Sequence, residues 1–83
     1  MTISTDDVRR LLQASERDSV LVLVEGRTKV IGAGQLASEP YRGALEVVSR
    51  DELAKRLGGT EPSEHELAEQ AAQLDAAINE MGG

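Results

Sequence analysis

The chain has 83 residues, a net charge of −6, no cysteine and one aromatic residue, Tyr41. A chain of this length forms one small domain with a marginal hydrophobic core, so a second subunit is a natural source of further buried surface. The lack of cysteine excludes disulfides and thiolate metal sites. The first residues do not resemble a signal peptide, and no apolar run approaches the roughly 20 residues of a membrane span. We therefore expect a cytoplasmic protein.

The negative charge is concentrated at the C-terminal end. Residues 1–59 contain nine acidic and nine basic side chains, whereas residues 60–83 contain six acidic side chains and no Lys or Arg. An acidic segment repels nucleic-acid phosphates and anionic membrane surfaces. We therefore expect neither a nucleic acid nor a membrane as a partner.

The first predicted element is a short amphipathic helix over residues 5–15. Ser4 is its predicted N-cap, and Ile3 and Val8 occupy the two positions of a hydrophobic staple. Its apolar residues recur with helical spacing. They are Val8, Leu11 and Leu12.

The central strand is predicted over residues 19–25. Five consecutive apolar residues, three of them β-branched, form a run too short for a typical helix. Such a run is typical of a strand that is covered on both faces. The remaining elements must therefore supply cover for two faces.

A β-hairpin follows this strand. Gly26 and Arg27 predict a two-residue type II′ turn, after which residues 28–33 return as the second strand. In that register Val22 faces Ile31. Both faces of the hairpin are apolar, so either helices lie on both sides of the sheet or a partner buries one face.

A connection and a third strand come next. Residues 34–43 are predicted to lack a regular helix because Pro40 restricts the residue before it, and residues 44–48 form the strand. Tyr41, in the connection, either packs over the sheet edge or serves as a binding anchor. The strand order stays open: a 1-2-3 meander is the default, but a uniformly apolar first strand favours a central position and the order 2-1-3.

Two further helices are predicted after the sheet. Ser49 caps the first of them, and Ser63 caps the second. The expected fold is α+β, with a three-stranded, mainly antiparallel sheet, one N-terminal helix and two C-terminal helices. We expect one domain over residues 1–59 and an acidic amphipathic helix over residues 60–83, separated by a hinge that contains two glycines and a proline.

The last helix carries an apolar stripe with heptad spacing, and the residues of this stripe are the predicted protein interface. They are Leu67, Ala71, Leu74, Ile78 and Met81. Such a stripe packs on the protein's own sheet, on a second copy of the chain or on a foreign protein. The first is the commonest use, and the sequence does not choose among the three.

Two internal segments resemble known motifs. The segment from Gly32 to Ala37 matches the wording G-x-G-x-x-A of dinucleotide-binding fingerprints. We interpret it as a strand end because Pro40 leaves no room for the required helix. The segment from His65 to Glu69 begins like the zinc motif H-E-x-x-H. We interpret His65 as an exposed residue of the first helical turn because Glu69 replaces the second histidine.

The chain ends in Gly82-Gly83, which resembles the tails of ubiquitin-like modifiers and sulfur carriers. Those tails follow a strand, whereas this one follows a predicted helix, so we interpret it as a helix end. A nucleophile with a neighbouring base is not recognisable either, since the chain has one histidine and no cysteine. We therefore expect no enzymatic activity, no cofactor and no metal site.

Two hypotheses of function follow. The first is a non-enzymatic interaction or regulatory protein that forms a homodimer. The alternative is an acidic inhibitor or antitoxin-like protein whose C-terminal helix binds a basic surface on another protein. A small carrier or enzyme subunit ranks third, and it depends on Gly83.

Overall fold

The computed structural model describes residues 2–59 and 61–80, and it confirms the predicted α+β fold. Within these residues, three α-helices accompany one three-stranded antiparallel sheet. The helices are α1 (Thr5–Gln13), α2 (Arg50–Leu57) and α3 (Glu64–Glu80), and the strands are β1 (Ser19–Val24), β2 (Arg27–Gly32) and β3 (Leu45–Ser49). None of the described helices combines the length and the apolar content needed to cross a membrane.

The apolar strand β1 lies in the centre of the sheet, in the order β2-β1-β3. This is the second of the two predicted orders. A central strand has neighbours on both edges and layers on both faces, and this explains why nearly every position of β1 is apolar. Its first four residues are all buried.

The predicted turn of the hairpin is wrong by one residue. The turn is formed by Glu25 and Gly26, which both have positive φ (51° and 76°) as a type I′ turn requires. Val20, rather than Val22, therefore pairs with Ile31. The pairing differs from the predicted one by two residues, and because side chains alternate with a period of two, each residue keeps its predicted face.

The connection from β2 to β3 crosses the sheet. Both strands are antiparallel to β1, so the chain must pass from one edge of the sheet to the other over β1. It does so in two short 3-10 turns, Ala33–Ala37 and Glu39–Tyr41. We call residues 33–44 the crossover.

Two hydrophobic clusters cover the two faces of the sheet. On the first face, helices α1, α2 and α3 pack against Leu21 and Val48. On the second face, the crossover covers Val20, Val22 and Ile31, which are all buried. Both faces are therefore covered within one chain.

The helix ends agree with the predicted caps. The Ser4 hydroxyl accepts from Asp7 N, the Ser49 hydroxyl from Glu52 N and the Ser63 hydroxyl from Glu66 N. Helix α1 ends two residues before its predicted end, and Ala14 is already extended. Gly58 ends α2 in the left-handed conformation, as expected of a glycine at this position.

Candidate interaction surfaces

The predicted interface stripe of α3 lies inside the protein's own core. Four of its five residues are nearly inaccessible and belong to the cluster that α3 shares with α1 and the first face of the sheet. They are Leu67, Ala71, Leu74 and Ile78. Met81, the fifth, lies outside the described residues. In this arrangement a partner reaches only the outer side of α3, where Ala72 and Ala76 are exposed.

Four of the acidic side chains of the C-terminal segment have partners within the chain. Glu64 forms an ion pair with Arg9 of α1, and Glu66 accepts from Ser63 N at 3.0 Å in a capping box. Glu69 lies 3.4 Å from His65. Asp75 binds the backbone before α1. These acids thus fix the start of α3 and its contact with α1.

Asp75 joins α3 to the N-terminal segment. Its Oδ1 accepts from Ile3 N at 3.0 Å and from Thr2 N at 2.7 Å. These two hydrogen bonds lower the pKa of the Asp75 carboxyl below its usual value because they favour the charged form. The bond from Ile3 N has the larger effect, and the bond from Thr2 N has the smaller one. The neighbouring side chain of Ile3 is fully buried.

Asp7 is a buried carboxylate with a structural task. It accepts from Ser4 N at 2.9 Å and from the Thr28 hydroxyl at 2.9 Å, and Arg10 lies 3.4 Å away. The Ser4 contact completes the N-cap of α1, while the Thr28 contact ties α1 to β2. A carboxylate with three partners is satisfied, and these contacts explain how its charge is accommodated in a buried position.

The two motif-like segments have ordinary structural roles. Gly32 N, the first amide of the glycine motif, donates to Gln35 Oε1 at 3.2 Å, and the residues after it form a 3-10 turn instead of an α-helix. His65 is exposed on α3. In the part of the chain that the structure describes, no three His, Cys, Asp or Glu side chains gather as metal ligands would. Gly82-Gly83 lies outside the described residues.

The outer side of the crossover is the first candidate interaction surface. We call it the crossover surface and define it by three half-buried residues, Leu36, Tyr41 and Ala44, and two exposed ones, Ala37 and Pro40. Tyr41 therefore packs on the second face and stays half-exposed, and its use as a binding anchor remains a prediction. An exposed ion pair, Arg42 with Glu39 at 3.8 Å, lies at its border.

The free edge of β2 is the second candidate surface. Because Val24 and Arg27 close the two-residue turn, the backbone groups of Arg27, Lys29 and Ile31 face β1, and those of Thr28 and Val30 point away from the sheet. We call these outward groups of Thr28 and Val30 the β2 edge. The opposite edge of the sheet is irregular, since Val47 is an unpaired extra residue in the ladder between β1 and β3.

Comparison with known proteins gives no relative. No protein-family model matches the chain, and neither a curated protein nor a solved structure is significantly similar to it. The function must therefore be argued from these surfaces alone.

Proposed function

We propose that the chain is a non-enzymatic interaction protein that works as a homodimer through the crossover surface. The observation that supports this proposal is that the only aromatic residue, Tyr41, lies half-exposed there among small apolar residues. Tyrosine is enriched in protein interfaces because it combines a large apolar ring with a polar end. A small domain with a limited core also gains stability when a second copy buries part of its surface.

The test is the mass of the protein by light scattering after gel filtration, at several concentrations. We expect a dimer for the natural chain and a monomer for Ala37→Glu, because a glutamate side chain is costly within an apolar interface. Ala76→Glu is the matched control, since Ala76 is an exposed alanine on the outer side of α3. It should remain a dimer. A natural chain that stays monomeric at about 100 μM, far above typical dimer Kd values, would contradict the proposal.

An acidic binder of a basic protein surface is the second candidate. It is supported by the charge segregation and by the exposure of Glu69 and Glu80 on α3. This function predicts a monomer whose binding weakens as salt rises, because exposed charges are screened. The homodimer predicts a mass that does not depend on salt. The mass in the same light-scattering experiment therefore separates the two, since a dimer at low and high salt supports the first function and a monomer supports the second.

A further inference from the structure

We propose that the β2 edge binds an extended acidic peptide of another protein by strand addition. This proposal is independent of the homodimer because it uses a different surface. In strand addition, main-chain hydrogen bonds supply affinity, and side chains at alternate positions supply specificity.

The first requirement is a row of available backbone groups. Among residues 2–59 and 61–80, the backbone N–H and C=O of Thr28 and Val30 make no hydrogen bond beyond the sheet. These residues are two apart, which is the spacing at which an added strand forms its hydrogen bonds. The next outward amide, that of Gly32, is already bonded to Gln35. The edge therefore offers a short site of two donors and two acceptors.

The second requirement is a rigid template, because a flexible edge loses conformational entropy on binding. The two-residue turn fixes one end of β2. The Thr28 hydroxyl donates to Asp7 of α1, and this bond holds β2 against the helix on the first face of the sheet. The bond from Ala33 N to Asp18 O, at 3.0 Å, fixes the other end.

The side chains of β2 indicate an acidic partner. Arg27 and Lys29 pair with Val24 and Val22, so they lie on the second face, and both are exposed. Side chains of an added strand on this face would lie beside them, where opposite charges attract. Val30, half-buried on the first face, favours an apolar residue between the acids. The best-fitting peptide therefore alternates acidic and apolar residues.

The acidic side chain of Glu46 does not cancel the attraction of Lys29 for an acidic peptide. Glu46 lies on the second face, aligned with Lys29 across the sheet, with Val22 of β1 between them. An added strand would be three strand spacings from β3, or about 14 Å. This is more than the Debye length of about 10 Å at 0.1 M salt, so the repulsion is weak.

A second copy of this chain fits the edge poorly. To bond all four groups, two antiparallel β2 strands must pair Thr28 of each copy with Val30 of the other. This register places Lys29 directly opposite the same residue of the second copy, and like charges in that position are unfavourable. Lysine in an edge strand is a common protection against such self-pairing. An acidic peptide turns the same side chain into a favourable contact.

The probe is a fluorescent seven-residue peptide that alternates glutamate and valine, followed by anisotropy and by amide NMR. We expect saturable binding, with the largest shifts at the amides of Thr28 and Val30. Lys29→Glu should weaken binding roughly tenfold and allow a lysine–valine peptide to bind instead. Lys55→Glu, which changes an exposed lysine on α2, is the control and should bind as the natural protein does.

Two N-methylated peptides test the main-chain contacts. Methylation of the alternate amides that face the edge should weaken binding roughly tenfold, whereas methylation of the other set should have little effect. Equal binding of both isomers would mean that charge alone attracts the peptide, and it would overturn strand addition. A fraction of bound peptide that falls as the protein concentration rises would identify a second copy as the occupant, which would also overturn the proposal.

Discussion

Glu25 has an unfavourable backbone conformation in the turn of the hairpin. Its φ of 51° is the only positive φ of a non-glycine residue among the described residues. A side chain in the left-handed region costs about 1–2 kcal/mol, and asparagine tolerates this region better than glutamate. The turn therefore has a suboptimal residue at its first central position.

Glu25→Asn should stabilise the protein by up to about 1 kcal/mol, because Asn-Gly is the preferred pair for a type I′ turn. In a domain of this size this raises Tm by about 4–8 °C. Thermal unfolding followed by circular dichroism measures the shift. Glu25→Gln is the control, since it removes the charge and keeps the poor conformation. An equal rise for both variants would show that charge, and not backbone conformation, is responsible.

Local signals at single residues were predictable, and distant ones were not. The caps Ser4, Ser49 and Ser63 are predictable because a cap acts locally, and each hydroxyl accepts from an amide only three residues further along. The bond between Thr28 and Asp7 spans 21 residues, and no sequence pattern relates the two positions. The turn was misplaced because a glycine suits either central position of a hairpin turn, and the sequence gives little reason to place Glu25 at positive φ.

At the scale of elements, the contact between α1 and α3 combines apolar packing with polar contacts at both ends of the interface. Glu64 pairs with Arg9 near the start of α3, and Asp75 binds Ile3 N and Thr2 N further along. The heptad stripe was predictable from its spacing. The side that it packs on was not, because an apolar stripe fits α1, a second copy or a foreign helix equally well.

Asp75→Asn should lower Tm at pH 7 and make Tm depend less on pH in the acid range. The folded pKa of Asp75 lies below its usual value of 3.8. The charged carboxylate therefore stabilises the fold above the unfolded pKa, and this contribution disappears as the pH falls through the folded pKa. The Tm values of the natural protein and the variant should thus differ above about pH 5 and approach each other as the pH falls below 3.8 and through the folded pKa.

Thermal unfolding at intervals from pH 2 to pH 7 measures this dependence. Asp18→Asn, at an exposed position between α1 and β1, is the control. A constant difference between Asp75→Asn and the natural protein over the whole range would contradict the role of the charge.

At the scale of the whole molecule, the charge boundary in the sequence does not coincide with a break in the core. Residues 60–83 hold the entire net charge, yet Leu67, Leu74 and Ile78 belong to the same cluster as Leu11 of α1. The acidic residues that change the composition lie mostly on the solvent-facing side of α3, whereas the core is formed by the opposite, apolar side of the helix. Residues 1–59 alone therefore leave the apolar face of α1 partly uncovered.

A chain that stops at Gly59 should lose cooperative unfolding, because the removal of several buried Leu and Ile side chains costs more than the stability of a typical small domain. Denaturant unfolding monitored by circular dichroism is the measurement. A chain that stops at Glu80 is the control, and it should unfold cooperatively. A sigmoidal transition for the shorter chain would instead support an independent domain over residues 1–59.

The crossover also sets an order of events during synthesis. When β1 and β2 have left the ribosome, their hairpin can form at once, since a two-residue turn joins them. The second face of this hairpin, with Val20, Val22 and Ile31, then stays uncovered until residue 44 emerges. At about 5–20 residues per second, the nascent chain exposes this apolar surface for roughly 0.6 to 2.4 seconds. The apolar centre that organises the finished sheet is thus also a surface that the nascent chain exposes before it can be covered.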